Sequence, residues 1–349
     1  MHFSDFGDLQ LKLEEETQDV LVPESWAVSE DGSLRHNKTG ISIGELGVLD
    51  ARVSDHLESL TRINPQDIEV DQTNLLGRGA GGVVARGKHR PSNTPLAVKI
   101  VRVEDKAKRS QLINDLHCLL RMTESSFLIQ LYAAYVHKDT GCVHVALEFM
   151  DYGSLQDVKS KIDKVPPNML AIILMQILEG LKVLHLNYVL HRDVKLGNIL
   201  VNSRGAVKVT DFGISKKLDN GVMVDTFVGT ATHMSPERVL GEDYSFPADI
   251  WSLGLIAYEL ASGKYPYGEI ASFPVLFDNL CNKPEPVLPQ GGYPPEVCDF
   301  VKRCLVRKPD KRATAIQLQA HPFIINSMYE VTQKQLIRWL REIMSVDSW

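Results

Sequence analysis

The residues whose types and spacing best suit a catalytic site lie in one short segment. Residues 191–198 read HRDVKLGN, and the tripeptide DFG begins thirteen positions after the asparagine. The carboxylate of Asp193 can accept the proton of an attacking hydroxyl, and Lys195 can hold a phosphate oxygen. The side chains of Asn198 and Asp211 offer the hard oxygen ligands that Mg²⁺ prefers. This combination predicts phosphoryl transfer; the structural alternative is a buried histidine with two solvated acids on loops.

A glycine-rich segment upstream predicts a phosphate-binding loop. Residues 76–84 read LGRGAGGVV, and glycines let a backbone turn tightly and approach phosphate oxygens. A dinucleotide-binding loop, the competing interpretation, requires a helix directly after the third glycine. Here a strand-like run continues into residues 96–99, LAVK, which aims Lys99 at the α- and β-phosphates of a nucleotide unless it is only an exposed strand lysine. The predicted loop residues are Gly77, Arg78, Gly79, Ala80, Gly81 and Gly82.

The base of that nucleotide is expected to lie against a buried strand and the connector that follows it. Residues 143–150 read VHVALEFM and predict such a strand. Leu147 is the expected gatekeeper, and the backbone at Glu148 and Met150 is expected to bind adenine. The remaining predicted contacts are Val84 and Ala97 above the ring, Leu200 below it, and Ser154, which also caps the next helix. Plain core packing is the alternative for the apolar members, and both interpretations are compatible.

Three further positions are predicted to regulate the chemistry. Residues 211–237 form a segment that closes with SPE, and Arg192 is available to bind a phosphate on it. Thr226 is the best acceptor for that phosphate. A helix expected from about residue 106 to 122 should carry an acid that pairs with the strand lysine. The acid in register is Asp115, although the pattern calls for the longer glutamate.

Composition limits the classes of protein that this chain can represent. Its 349 residues suffice for one two-lobed domain with an extension, and its formal net charge of −6 argues against a nucleic-acid or anionic-membrane surface. Five cysteines without a C-x-x-C pair favour reduced thiols in the cytosol or nucleus, and we expect a cytoplasmic location. No signal peptide is predicted, and His2 excludes myristoylation. Residues 169–186 are apolar but interrupted by charges, which predicts a core helix and no membrane span.

The two ends of the chain are predicted to be separate regions. Residues 1–70 contain a hairpin or small meander and are expected to be a docking or regulatory arm, or an ordered strap, or disordered. Residues 71–325 hold the motifs above. Residues 326–349 predict an amphipathic helix with Leu336, Trp339 and Leu340 on one face, which either packs on the domain or binds a partner.

With these motifs in place, the chain resembles the eukaryotic protein kinases from about Asp71 to Ile325, and more narrowly the MAP kinase kinases. The narrower resemblance depends on FVGT at residues 227–230, MSPER at 234–238 and DIWS at 249–252, together with the catalytic segment. It implies an α+β, bilobal protein kinase fold. The small lobe would be an antiparallel sheet with one helix, the larger lobe mainly helical, and ATP with Mg²⁺ would lie in the cleft.

The resemblance also implies a function. Such kinases phosphorylate a threonine and a tyrosine in the activation loop of a downstream MAP kinase, and an upstream MAP kinase kinase kinase activates them, with a docking site for that kinase near the C-terminal tail. Three departures matter here. Asp115 replaces the usual glutamate, and the earlier phosphoacceptor positions of the family fall on Asn220 and Val222, with only Thr226 matching. The long proline-rich insert of some family members is also missing around residues 267–273. The alternatives are a Ser/Thr kinase of another branch and a pseudokinase scaffold.

Overall fold

In the computed structural model, the chain divides into two compact units. The first comprises residues 1–120 and 130–149, and the second comprises 121–129 and 150–349. The residues that the structure describes are 26–28, 33–36, 41–50, 62–79, 82–102, 112, 115, 116, 118–120, 122, 125–212, 232–289, 291–330 and 332–345.

The first unit begins with a four-stranded antiparallel meander. Its strands are β1 Trp26–Val28, β2 Leu34–His36, β3 Ile41–Gly44 and β4 Gly47–Asp50, paired in chain order. Ile41, Ile43 and Val48 are fully buried, because apolar residues alternate along β3 and Val48 pairs directly with Ile43. The predicted meander is therefore present and includes a fourth strand. Leucines at positions 9, 11 and 13 alternate with polar residues and predict one more short strand, which lies outside the described residues.

A five-stranded antiparallel sheet follows, in the order β5-β6-β7-β9-β8. Its strands are β5 Ile68–Gly79, β6 Gly82–His89, β7 Thr94–Val101, β8 Leu131–Val136 and β9 Val143–Glu148. One face of this sheet carries Leu96, Val98 and Ala146, all fully buried, and Ile68 and Val70 pack against them. The meander strands β3 and β4 contact β8, so this meander packs against the five-stranded sheet.

The second unit is mainly helical and carries one short hairpin, β10 Ile199–Val201 with β11 Val207–Val209. Its helices are α1 Leu155–Ser160, α2 Pro167–Leu186, α3 Pro236–Val239, α4 Pro247–Ser262, α5 Phe273–Cys281, α6 Pro295–Cys304, α7 Ala315–Gln319, α8 Pro322–Glu330 and α9 Gln333–Met344. The described parts of both units thus show the antiparallel sheet and the helical unit of the predicted α+β class.

Helix α2 lies at the centre of the second unit. By length and composition it could cross a membrane, but 67% of its most apolar window is buried inside the protein. It packs against α7, α8 and strand β11. Gly180 allows the close approach, since a Cβ there would lie 2.9 Å from Val209 Cγ2 and 3.0 Å from the carbonyl oxygen of Phe127. These are the contacts of a core helix.

A buried ion pair connects distant parts of the second unit. The two terminal guanidinium nitrogens of Arg312, Nη1 and Nη2, donate to the carboxylate of Glu237 at 2.8 and 3.0 Å, and neither side chain is appreciably exposed. Burial raises the pKa of Glu237, but the hydrogen bonds and charge of Arg312 outweigh burial and leave that pKa below its usual value. In the sequence, Glu237 ends the SPE motif and Arg312 ends the motif KPDKR, which predicts that the two can pair. The bidentate geometry confirms this prediction.

The free energy of unfolding should depend on pH through His144, which lies on strand β9 and is 1% exposed. Burial, followed by the nearby His137, lowers the pKa of His144 to about 4 from its ordinary 6.5, and Tyr135 Oη lies 3.3 Å from its Nδ1. The folded protein therefore favours the neutral ring. Its contribution to stability is complete above pH 6.5 and is lost as the pH falls toward 4. We expect the wild type to lose about 2 kcal/mol more than His144→Phe between pH 7.5 and 5.0.

Urea unfolding of both proteins at these two pH values measures the difference. Other groups that titrate in this range, such as His233, are present in both proteins and cancel in the comparison. An identical loss of stability in the wild type and in His144→Phe would contradict the assignment.

Candidate active site

The sheet of the first unit gathers four of the predicted nucleotide contacts on one face. Directly paired residues of an antiparallel sheet point to the same face, as do residues two apart on one strand. Val84 pairs with Lys99, and Ala97 pairs with Leu147. Because Ala97 and Lys99 are two residues apart on β7, all four side chains share the face opposite the apolar core. The strand lysine is thus placed beside apolar neighbours suited to a base.

The glycine-rich loop joins β5 to β6, and Gly82 shows why that residue type is needed there. Gly82 has φ of +120°, and a Cβ there would lie 2.2 Å from the carbonyl oxygen of Ile100. Gly77 meets nothing within 4 Å of an added Cβ, so its open side can admit a ligand. Arg78 and Gly79 belong to the end of β5. Ala80 and Gly81 lie outside the described residues.

The helix predicted to carry the partner of Lys99 is described only in part. Residues 112, 115, 116 and 118–120 are helical, with Leu116 fully buried and Asp115 half-buried. Asp115 and Lys99 belong to the same unit. The helix is therefore confirmed at these positions, whereas the pairing of the two side chains stays a prediction.

The connector after β9 continues into the second unit and is bonded along β10. Tyr152 N donates to Val201 O at 3.2 Å, Val201 N donates to Gly153 O at 2.8 Å, and Ser154 bridges Leu200. Ser154 caps α1 as predicted, with Asp157 completing a reciprocal capping box. Leu200 and the connector are thereby fixed side by side, while Leu147 and Glu148 end the preceding strand.

The catalytic segment folds into a compact constellation. Lys195 Nζ lies 2.8 Å from Asp193 Oδ2, and Asn198 Nδ2 donates to the backbone oxygen and to Oδ2 of Asp193, at 2.8 and 2.9 Å. A single 3₁₀ turn, Leu196–Asn198, brings the asparagine back onto the aspartate. An acceptor for a hydroxyl proton, a cation and an amide oxygen therefore lie within one turn of chain. This arrangement suits phosphoryl transfer.

A buried carboxylate on α4 holds this segment in place. Asp249 accepts hydrogen bonds at 2.9 Å from the backbone N of His191 and of Arg192, and from His185 Nε2. Burial raises the pKa of Asp249, but the bonds from His185 and His191 outweigh it, so the net shift is downward. Arg192 has φ of +71°, a strained value for a residue with a Cβ. The carboxylate stabilises that turn directly.

The donor set expected to hold Mg²⁺ is assembled beside this turn. Thr210 N donates to Asn198 O at 3.0 Å, which places Asp211 next to the asparagine. Because Nδ2 of Asn198 is used by Asp193, its Oδ1 is left as the acceptor. No group of three or more His, Cys, Asp and Glu side chains converges in the part of the chain that the structure describes. Amide and carboxylate oxygens, such as those of Asn198 and Asp211, are the ligands that a hard cation like Mg²⁺ prefers.

One residue near the base was missed by the sequence reasoning. His233 Nδ1 lies 3.1 Å from Thr232 Oγ1, and its carbonyl oxygen accepts from Ser252 at 2.6 Å. Burial lowers the pKa of His233 to about 4, the charge of Asp193 opposes this shift, and Lys195 adds to it. The ring is thus neutral near the catalytic pair. Its position just before MSPE was the available signal.

The predicted regulatory residues are placed only in part. Arg192 is half-buried, its carbonyl oxygen accepts from Arg238 Nη1, and its guanidinium carbon lies 5.9 Å from the ring centre of Tyr244. Thr226 lies outside the described residues. So does Thr230, whose place in the segment before MSPE predicts hydrogen bonds to Asp193 and Lys195. Their roles stay predictions.

Comparison with known proteins agrees with this geometry. A family profile described as "Protein kinase domain" matches residues 70–324. The chain is 37% identical over 309 residues to "Mitogen-activated protein kinase kinase 3" of Arabidopsis thaliana, covering 86% of this chain and 59% of that relative. It is 35% identical over 325 residues to "Mitogen-activated protein kinase kinase 1" of the same plant, covering 90% of both. It is 38% identical over 299 residues to "Mitogen-activated protein kinase kinase 5" of Leishmania mexicana, covering 82% of this chain and 56% of that relative.

The profile match spans most of the chain and includes the glycine-rich loop, the strand lysine, the catalytic segment and the closing Glu237. The chain accordingly belongs to the protein kinases, enzymes that use ATP, and within them to the MAP kinase kinase family.

Proposed function

We propose that this kinase transfers the γ-phosphoryl group of ATP to a threonine and a tyrosine in the activation loop of a MAP kinase. The observation that carries the proposal is the assembled constellation of Asp193, Lys195 and Asn198 in a chain of the MAP kinase kinase family. The chain spans 59% of the length of the Arabidopsis relative named kinase kinase 3 and 90% of the one named kinase kinase 1. The substrate is therefore proposed from the names of these relatives and from this site together.

Each residue of the constellation has one task. Asp193 accepts the proton of the substrate hydroxyl as its oxygen bonds to the γ-phosphorus, while the bond from that phosphorus to the bridging oxygen of ADP breaks. Lys195, 2.8 Å from Asp193, stabilises negative charge on the transferred group. Lys99 binds the α- and β-phosphates. Positioning and charge, with little covalent work by the protein, account for the rate.

We further propose that Asn198 and Asp211 hold Mg²⁺ on the nucleotide phosphates. When bound, the ion neutralises phosphate charge and orients the transferred group. The support for this proposal is the chemistry of the two side chains and the hydrogen bond that commits the asparagine amide to Asp193.

Activation is proposed to require phosphorylation of Thr226 by an upstream MAP kinase kinase kinase. Arg192 directly precedes the catalytic base, so a phosphate that binds its guanidinium would order the segment and the base together. A cytoplasmic location is also proposed. In its support, all five cysteines lie among the described residues and remain thiols.

Removing the proton acceptor tests the catalytic assignment. Asp193→Asn preserves the shape of the side chain, but its amide cannot accept the proton of the substrate hydroxyl. We expect kcat to fall about a thousandfold with the Kd for ATP within about threefold of the wild type. The exposed Asp310 supplies a control, Asp310→Asn, which should keep full activity. Steady-state kinetics and calorimetry give both constants; a variant with wild-type kcat would refute the role of Asp193.

The substrate proposal is tested by incubating the full chain and Mg-ATP with an inactive MAP kinase. Mass spectrometry of the product should find phosphothreonine and phosphotyrosine in its activation loop, and the Asp193→Asn protein should produce neither. Phosphoserine and phosphothreonine alone, at other sites, would favour the competing function of a Ser/Thr kinase from another branch.

Activation by phosphorylation is tested at Thr226. Thr226→Ala should stay at basal activity after incubation with an active MAP kinase kinase kinase, because no phosphate is then available to Arg192. Thr226→Glu should recover part of the activity, since it restores negative charge but not the full phosphate. Ser215→Ala, in the same segment, is the matched control and should activate normally. Full activation of Thr226→Ala would exclude this mechanism.

A further inference from the structure

Two glutamine side chains from different helices converge on the turn between β10 and β11. The carbonyl oxygen of Gly205 accepts from Gln176 Nε2 of α2 at 3.2 Å and from Gln333 Nε2 of α9 at 2.7 Å. Gln176 also accepts from Val207 N at 3.0 Å, so it spans the turn. Gln333 adds a contact to Arg204 O at 3.4 Å. The first residue of the C-terminal helix is thus bonded to a turn 128 residues away.

The C-terminal helix is seated closely against this turn. Gly205 has φ of +74°, and a Cβ there would lie 2.8 Å from Gln333 Nε2 and 2.9 Å from Ile337 Cγ1. Leu336 and Leu340 are fully buried, and α9 also contacts α1 and α2. The apolar face of the helix therefore fixes its position, and the side-chain amide of Gln333 connects the helix to the turn through Gly205 O and Arg204 O.

The other side of the turn is bonded to the connector. Asn202 is 3% exposed; its Oδ1 accepts from the backbone N of Arg204 and Ala206, both at 3.0 Å, and its Nδ2 lies 3.7 Å from the sulfur of Met150. Ser203 N donates to the carboxylate of Asp151 at 2.7 Å. A shift of the turn would therefore move residues 150–151 directly.

We infer that Gln333 is a positioning residue for nucleotide binding. Gln333 holds the turn at residues 202–206. That turn positions the two predicted adenine contacts of the second unit, Met150 and Leu200. Leu200 is tied to the same assembly, because the neighbouring Val201 bonds Tyr152 and Gly153. The inference rests on ATP use and on these predicted adenine contacts, and it is independent of which protein is phosphorylated.

Three variants of the full chain test this role. Gln333→Met keeps the length and helix propensity of the side chain but removes its donors. Gln333→Lys keeps a donor that can reach the Gly205 carbonyl. Lys334→Met, at the exposed next position, is the matched control. We expect calorimetry with Mg-ATP to give a Kd about fivefold higher for Gln333→Met, and a Kd within twofold of the wild type for the other two.

The kinetic pattern separates positioning from simple structural support. The KM for ATP should rise in Gln333→Met while kcat at saturating ATP and the KM for the protein substrate stay within twofold. An unchanged Kd in Gln333→Met would overturn the inference. So would a loss of kcat and thermal stability with unchanged Kd, which marks a structural anchor only. Failure to phosphorylate a MAP kinase would leave the ATP-binding comparison intact.

Discussion

The catalytic geometry of the second unit depends on one buried carboxylate. Asp249 receives two backbone N–H groups of the catalytic segment and one imidazole nitrogen, with 1% of its surface exposed. Isolated burial of this charge would be costly, and three donors compensate for it. In return, the carboxylate keeps Arg192 at positive φ, and that turn aims Asp193 at Asn198 and Lys195.

The two units position their functional side chains in the same way. In each, one side of a strand or hairpin packs in the core and the other side carries the functional residues. In the first unit, Val98 and its neighbours fill the core face of the sheet, and Lys99 occupies the opposite face. In the second, α2 is buried almost throughout, and the hairpin packed on it presents Leu200 beside the connector. Rigid packing beneath functional side chains reduces the reorganisation that catalysis requires.

Much of this arrangement follows from local sequence. The Ser154 cap, the hairpin turn at Gly205 and the turn that returns Asn198 to Asp193 each arise from residues within a few positions of one another. The predicted core helix begins two residues earlier than expected, at Pro167, because proline is tolerated in the first turn. Contacts across long separations were not predictable in the same way. Asp249 lies 58 residues from His191, and no periodicity encodes that bond.

The same limit applies to Gln333, to His233 and to the packing of the meander on β8. Each depends on side chains brought together by tertiary packing, which propensity and spacing do not specify. The Glu237–Arg312 pair, 75 residues apart, was foreseen because two family motifs carried it.

The most direct test of this account is the substitution Asp249→Asn, which keeps the shape but puts an amide N–H against at least one backbone N–H. With the exposed Asp243→Asn as control, kcat at saturating ATP should fall about a hundredfold or more while the Kd for ATP stays within about threefold. An Asp249→Asn protein with kcat within twofold of the wild type would contradict the claim that this carboxylate organises the catalytic segment.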